Sequence, residues 1–193
     1  MRQPLWNSTL WPWSIFLTVL SAILSMVTTS NLNKITSNAI IAWELAGTRE
    51  QSGKLMTAWG AEGLRLAGFC LGIDFLFIAA YVTAISLACL WAKDGFEENG
   101  WPLAGLGLVL SIAMIAAGVF DMIENFGLLQ QLLHGADDSW AFSARMLALL
   151  KFFIIILSLA FSSLGAIAQR KAVFGLILAI LAILVARPVW AFL

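Results

Sequence analysis

Charge is scarce in this sequence. Eleven basic and eleven acidic side chains are spread over 193 residues, while 61% of positions are hydrophobic. A soluble domain carries roughly 25% charged residues and 45–50% apolar ones. A chain so poor in charge has little with which to coat itself against water, and lipid is its expected solvent. The two signs cancel to a formal net charge of zero, which excludes the broad basic surface that neutralises nucleic-acid phosphates. No nucleic-acid partner is expected.

Metal-ligating and redox side chains are nearly as rare. There is one histidine, His134, and there are two cysteines, Cys70 and Cys89, with no CxxC. Both cysteines fall in one expected helix, where the helical rise separates them by about 30 Å, far beyond disulfide reach. The usual ligand sets for zinc, haem and iron–sulfur clusters are missing, so no metal and no other cofactor is expected. There is also no GxxxxGK[ST] loop, GxSxG elbow or HExxH helix, which removes the nucleotide, hydrolase and zinc-protease chemistries that depend on them.

What the sequence has in abundance is long apolar runs. A membrane span needs roughly 20 mostly apolar residues, and five stretches meet that template: Trp11–Thr29, Leu66–Trp91, Leu103–Ile123, Leu147–Ala168 and Ala172–Trp190. The fold class that follows is all-α, a polytopic transmembrane helix bundle of about five spans, forming a single integral membrane domain over residues 1–193. The first run follows Arg2 and resembles a secretory signal, but its length and aromatic start favour an uncleaved anchor.

Between the first two spans, residues 30–65 mix Ile35, Ile40, Ile41, Trp43, Leu45, Leu55, Trp59 and Leu64 with charges at near-helical spacing. That pattern predicts one or two amphipathic helices on the membrane surface, broken at Gly47-Thr48. Residues 92–102 read as a short polar turn, and Gly135 as the stop of a third helix running on to Leu133. Trp11, Trp13, Trp91 and Trp101 would form one interfacial belt, and Trp43, Trp59, Trp140 and Trp190 the other. A plain count sets Arg2, Lys93, Arg170 and Lys171 against Lys34, Arg49, Lys54, Arg65, Arg145 and Arg187 and mildly favours the latter side as cytoplasmic, but the short Arg170-Lys171 turn, to which the positive-inside rule best applies, favours an N-terminus on the inner side.

Ions in hydrocarbon need a reason, because each costs about 2.5–3.5 kcal/mol at a helix centre on insertion scales. Asp74, Asp121 and Glu124 are the ones to explain. Asp121, Glu124 and Asn125 are three and four residues apart and so share one helix face. With alternating spans, these residues, Glu44, Arg65, Asp74, Lys151 and Arg187 all fall toward one side of the membrane. A one-sided polar pocket follows, with Asp74 as its deepest acid, Lys151 or Arg65 as counter-ion and Glu44 on its roof. The plainer reading makes Lys151 a cation snorkelling to water, Arg65 and Arg187 interfacial charges, and Asp74 a packing ion pair. The pair Gly68 and Gly72 reads as a small-residue packing face.

The function this favours is binding or processing of a lipophilic substrate at the acids and Asn125. An accessory subunit of a larger membrane complex and a small oligomeric proton-coupled transporter are the alternatives. Five spans without an internal repeat weigh against a self-contained transporter of the duplicated kind. Enzymatic work, if present, would rest on carboxylate acid–base chemistry. The expected partners are membrane lipid, a lipophilic small molecule, and other membrane proteins or a second copy of the chain.

Overall fold

A computed structural model describes residues 9–192; Arg2 lies outside them. The chain is helical, with seven helices and no strand among the described residues: α1 Leu10–Thr28, α2 Ser30–Ile35, α3 Ala39–Glu44, α4 Arg49–Glu98, α5 Ala104–His134, α6 Asp138–Ala168 and α7 Ala172–Phe192. Five of these, α1 and α4 to α7, are long and apolar enough to cross a membrane. Helix is the only element that satisfies its own backbone hydrogen bonds in such an apolar chain without a closed barrel.

Helices α4, α5 and α6 pack on one another, while α1 lies against α4 and α7 against α6. The ends show the direction of each helix. Trp91 near the end of α4 meets Trp11 at the start of α1 (ring centroids 6.0 Å apart) and Phe174 at the start of α7 (5.4 Å). At the opposite end, the backbone N–H of Arg49, first in α4, donates to Asp138, first in α6, at 2.8 Å. Helices α4 and α6 are therefore parallel, with α1 and α7 antiparallel to them. Both helix starts are capped by side chains, Thr48 accepting from Gln51 and Asp137 from Ser139 and Trp140, which satisfies N–H groups that a first turn leaves open.

Two expected boundaries differ. Helix α4 begins at Arg49 and runs to Glu98, absorbing part of the expected surface segment and most of the expected turn at residues 92–102. The extension at its end is held by a Lys93–Glu97 pair at 2.6 Å and by Phe96, fully buried against Phe161 with centroids 5.1 Å apart. Near its start the helix is interrupted at Gly60, where φ is 61° and ψ is −175°, a backbone shape that glycine adopts at little cost. Gly135, with φ 90°, ends α5.

The segment between α1 and α4 turns inward. Leu32, Trp43, Met56 and Trp59 are buried and form one core with Ala67, Leu71, Leu128 and Ala144. Trp43 and Trp59, expected in an interfacial belt, are 1% and 4% exposed and pack edge to face at 5.7 Å. The polar handle of Trp43 explains its tolerance of the interior: its indole N–H donates to Ser52 at 2.7 Å, and Ser52 in turn donates to the side-chain carbonyl of Gln131. This chain of three residues ties α3, α4 and α5 together.

Within the bundle, the closest helix approaches do not involve Gly68 and Gly72, which the sequence offered as a face for another helix of this chain or of a second copy. A Cβ at Gly72 would meet nothing within 4 Å, whereas one at Gly165 would stand 2.3 Å from the Cβ of Ala92, and one at Gly118 2.8 Å from Val82. The tight seams therefore run between α6 and α4 and between α5 and α4.

Candidate functional site

Lys151 stands at the centre of the site. It lies on α6 two turns past Ala144, on the face that α6 turns toward α4 and α5, and it is 4% exposed. Its ammonium lies 2.6 Å from Asp121 Oδ1, 2.9 Å from Glu124 Oε2 and 3.5 Å from Glu44 Oε2. The side chain does not snorkel, because these three carboxylates satisfy it inside the bundle. Asp121 and Glu124 come from one face of α5, as their three-residue spacing requires. Glu44, the last residue of α3, closes the set from the segment between α1 and α4.

A second tier surrounds this centre. Tyr81 on α4 donates its hydroxyl to Asp121 Oδ2 at 2.8 Å, and Asn125 on α5 donates its amide N–H to Asp74 Oδ2 at 2.7 Å. Tyr81 is buried and Asp74 half-buried. Asp74, Ile78 and Tyr81 recur at the four- and three-residue steps that keep them on one stripe of α4. Arg65 is not part of this arrangement: it is exposed and pairs with Glu62 at 3.4 Å. Arg187 is likewise exposed on α7, and His134 is exposed at the end of α5.

The electrostatics are lopsided. Three carboxylates converge on one ammonium, and Asp74 adds a fourth acid nearby. Removing ions from water costs several kcal/mol each even after relaxation, and pairing compensates only when the charges match. Glu44, which lies outside the long apolar helices, registers this directly. Burial pushes its carboxyl up from 4.5 to about 7, with Lys151 pulling it down and Asp121 and Asp74 pushing it further up.

Several acceptors in the site remain open. Glu124 Oε1 and Asn125 Oδ1 are buried without a hydrogen-bond partner among the described residues. Such atoms are uncommon in folded proteins and call for a donor. The centre itself is closed, and a groove of about 340 Å³ lies apart from it, past Ala42, Leu45, Ala46, Lys54 and Arg145.

Reading the sequence brought Asp121, Glu124, Asn125, Asp74 and Glu44 forward but passed over Tyr81, Ser52 and Gln131. Tyr81 carried a signal, being the chain's single tyrosine and lying seven residues, two turns, after Asp74. Ser52 and Gln131 carried none, since a serine and a glutamine on two separate helices give no hint that they meet. Among the described residues no group of three or more histidine, cysteine and acidic side chains is placed to hold a metal ion. Comparison of this chain with protein-family models, curated proteins and solved structures gives no match.

Proposed function

We propose that this chain is a multi-pass integral membrane protein, with its N-terminus on the inner side, that handles a lipophilic substrate in step with a proton held at the Glu44–Lys151 centre. The observation that carries this reading is the convergence of Glu44, Asp121 and Glu124 on the one buried ammonium of Lys151. Fully ionised, the set would hold two uncompensated negative charges in a medium of low dielectric, where like charges repel far more strongly than in water. A proton relieves that repulsion, and its removal restores it, so the centre stores a charge imbalance that binding of a cation or a proton donor can discharge.

Glu44 is the exchange point. It belongs to a six-residue helix at the edge of the bundle, and Leu45 and Ala46, which follow it, line the groove. Asp121 and Glu124 lie deeper and share the charge of Lys151. In this reading the proton enters and leaves through Glu44, while Tyr81 and Asn125 hold Asp121 and Asp74 in place for the substrate.

Proton binding by the protein in lipid vesicles tests this. A small acid pulse across neutrality, followed with a pH-sensitive dye, is expected to show about one more proton taken up per chain by the wild type than by Glu44→Gln. Equal uptake by the two, with both proteins folded and inserted, would refute the proposed exchange.

A further inference from the structure

Asp74 and Asn125 are not explained by the Lys151 centre, which is complete without them. Asp74 is the half-buried acid of the group, and Asn125, 1% exposed, spends its amide N–H on it at 2.7 Å. The other end of that amide, Oδ1, has no partner, and neither has Glu124 Oε1 on the adjacent residue. Both of these open atoms are acceptors. A carboxylate and an amide carbonyl side by side recognise a group that donates several hydrogen bonds at once.

The position of this pair on the bundle points outward. One turn before Asp74, Cys70 touches the backbone carbonyl of Ser25 on α1 at 4.0 Å, while Asn125 belongs to α5. Asp74 thus lies on α4 between α1 and α5, and no substantial packing joins those two helices across it. On α4, Phe75 and Leu76, which follow Asp74, are exposed and apolar.

From these observations we infer that Asp74 and Asn125 form a lateral port for the head of an amphiphilic primary amine, its ammonium on the Asp74 carboxylate and the Asn125 carbonyl and its chain running out between α1 and α5, which do not pack substantially on each other. The excess of acids over Lys151 selects a cation over a neutral alcohol. The open acceptors select a head with N–H bonds over a quaternary ammonium, which has none to give. This inference rests on the proposed handling of a lipophilic substrate and names the class of that substrate.

Binding of dodecylamine to the intact protein in lipid nanodiscs tests it, with dodecanol and dodecyltrimethylammonium as the neutral and quaternary comparators. Saturable binding near one per chain is expected for dodecylamine, at least about tenfold tighter than for either comparator, and weakened about tenfold or more in Asp74→Asn. The Asp94→Asn variant, in the polar end of α4, is expected to bind as the wild type does. A second measurement needs no variant: an apolar carbodiimide dissolved in the bilayer is expected to modify Asp74 in the wild type, and dodecylamine to protect it, as read by peptide mass spectrometry. Comparable binding of the three amphiphiles, an unaffected Asp74→Asn variant, or a carbodiimide pattern indifferent to dodecylamine would each overturn the port. If amine binding fails while Glu44 still titrates near neutrality, only the port is lost. If amine binding persists while Glu44 does not titrate, only the proton exchange is lost.

Discussion

Glu44 and Lys151, 107 residues apart in the chain, face each other across 3.5 Å inside the bundle. The contact joins a short helix of the connecting segment to the middle of a long apolar one, and it makes the connecting segment part of the buried centre. Removing the lysine should therefore be severe. Lys151→Met leaves three acids without their cation, and breaking a buried ion pair from one side costs about 3–5 kcal/mol. Adding Asp121→Asn and Glu124→Gln to Lys151→Met should recover a large part of that loss, because the orphaned charges go with it. Thermal unfolding of the three proteins in one detergent checks the order.

The pH dependence follows from Glu44. Its carboxyl is pushed up to about 7 in the folded protein by burial, against 4.5 when free, so the folded state holds this proton more tightly than the unfolded chain. The resulting stabilisation is complete below about pH 4.5 and is lost as the pH rises through about 7. The groups facing Glu44 are Lys151, Asp121, Glu124 and Asp74. Wild-type unfolding midpoints should fall across that window, and Glu44→Gln, which is neutral throughout, should show a flatter profile. A wild-type profile that rises with pH in this range would contradict the assignment.

Ser52 links Trp43 to Gln131, accepting from one and donating to the other. Ser52→Ala strands two buried polar groups, at about 1–3 kcal/mol, and frees the short helix that carries Glu44. Hydrogen exchange should rise in residues 39–47 more than in the middle of α5. A uniform rise across the bundle would show that Ser52 does not position this helix.

Packing predictions separate two glycines. Gly165→Ala drives a methyl into Ala92, with atoms 2.3 and 2.7 Å from the new Cβ, and overpacking of this kind costs about 1–3 kcal/mol. Gly72→Ala meets open space and should be neutral or up to about 1 kcal/mol more stable, since alanine is the better helix former. Unfolding midpoints of the two variants, measured side by side, check the contrast.

The parts of this architecture that could be read in the sequence are those with a period. The run of small and apolar residues from Leu103 to Ile123 declares a helix, and steps of three and four place Asp121, Glu124 and Asn125 on one face of it whatever surrounds them. Gly135 and the Gly47-Thr48 pair declare chain breaks through backbone preference alone. Lys151 was harder, because a lysine near the start of an apolar run has two stable fates, snorkelling or pairing, and partners on α3 and α5 decide between them. The burial of Trp43 was hidden for a related reason. An indole suits a membrane interface, but it also suits a core where its N–H finds a hydroxyl, and Ser52 supplies one only after the chain has folded. The extension to Glu98 depends in the same way on a tertiary contact, that of Phe96 with Phe161.

The most direct test of the central claim is infrared titration of the protein in lipid bilayers, comparing wild type with Glu44→Gln between about pH 5 and 9, where ordinary exposed carboxyls are nearly all ionised. The account predicts a protonated-carboxyl band in the wild type, a component of which is lost with a midpoint near 7, and the absence of that component in Glu44→Gln. A wild type with no titrating carboxyl in that range, or a band that titrates unchanged in Glu44→Gln, would contradict it.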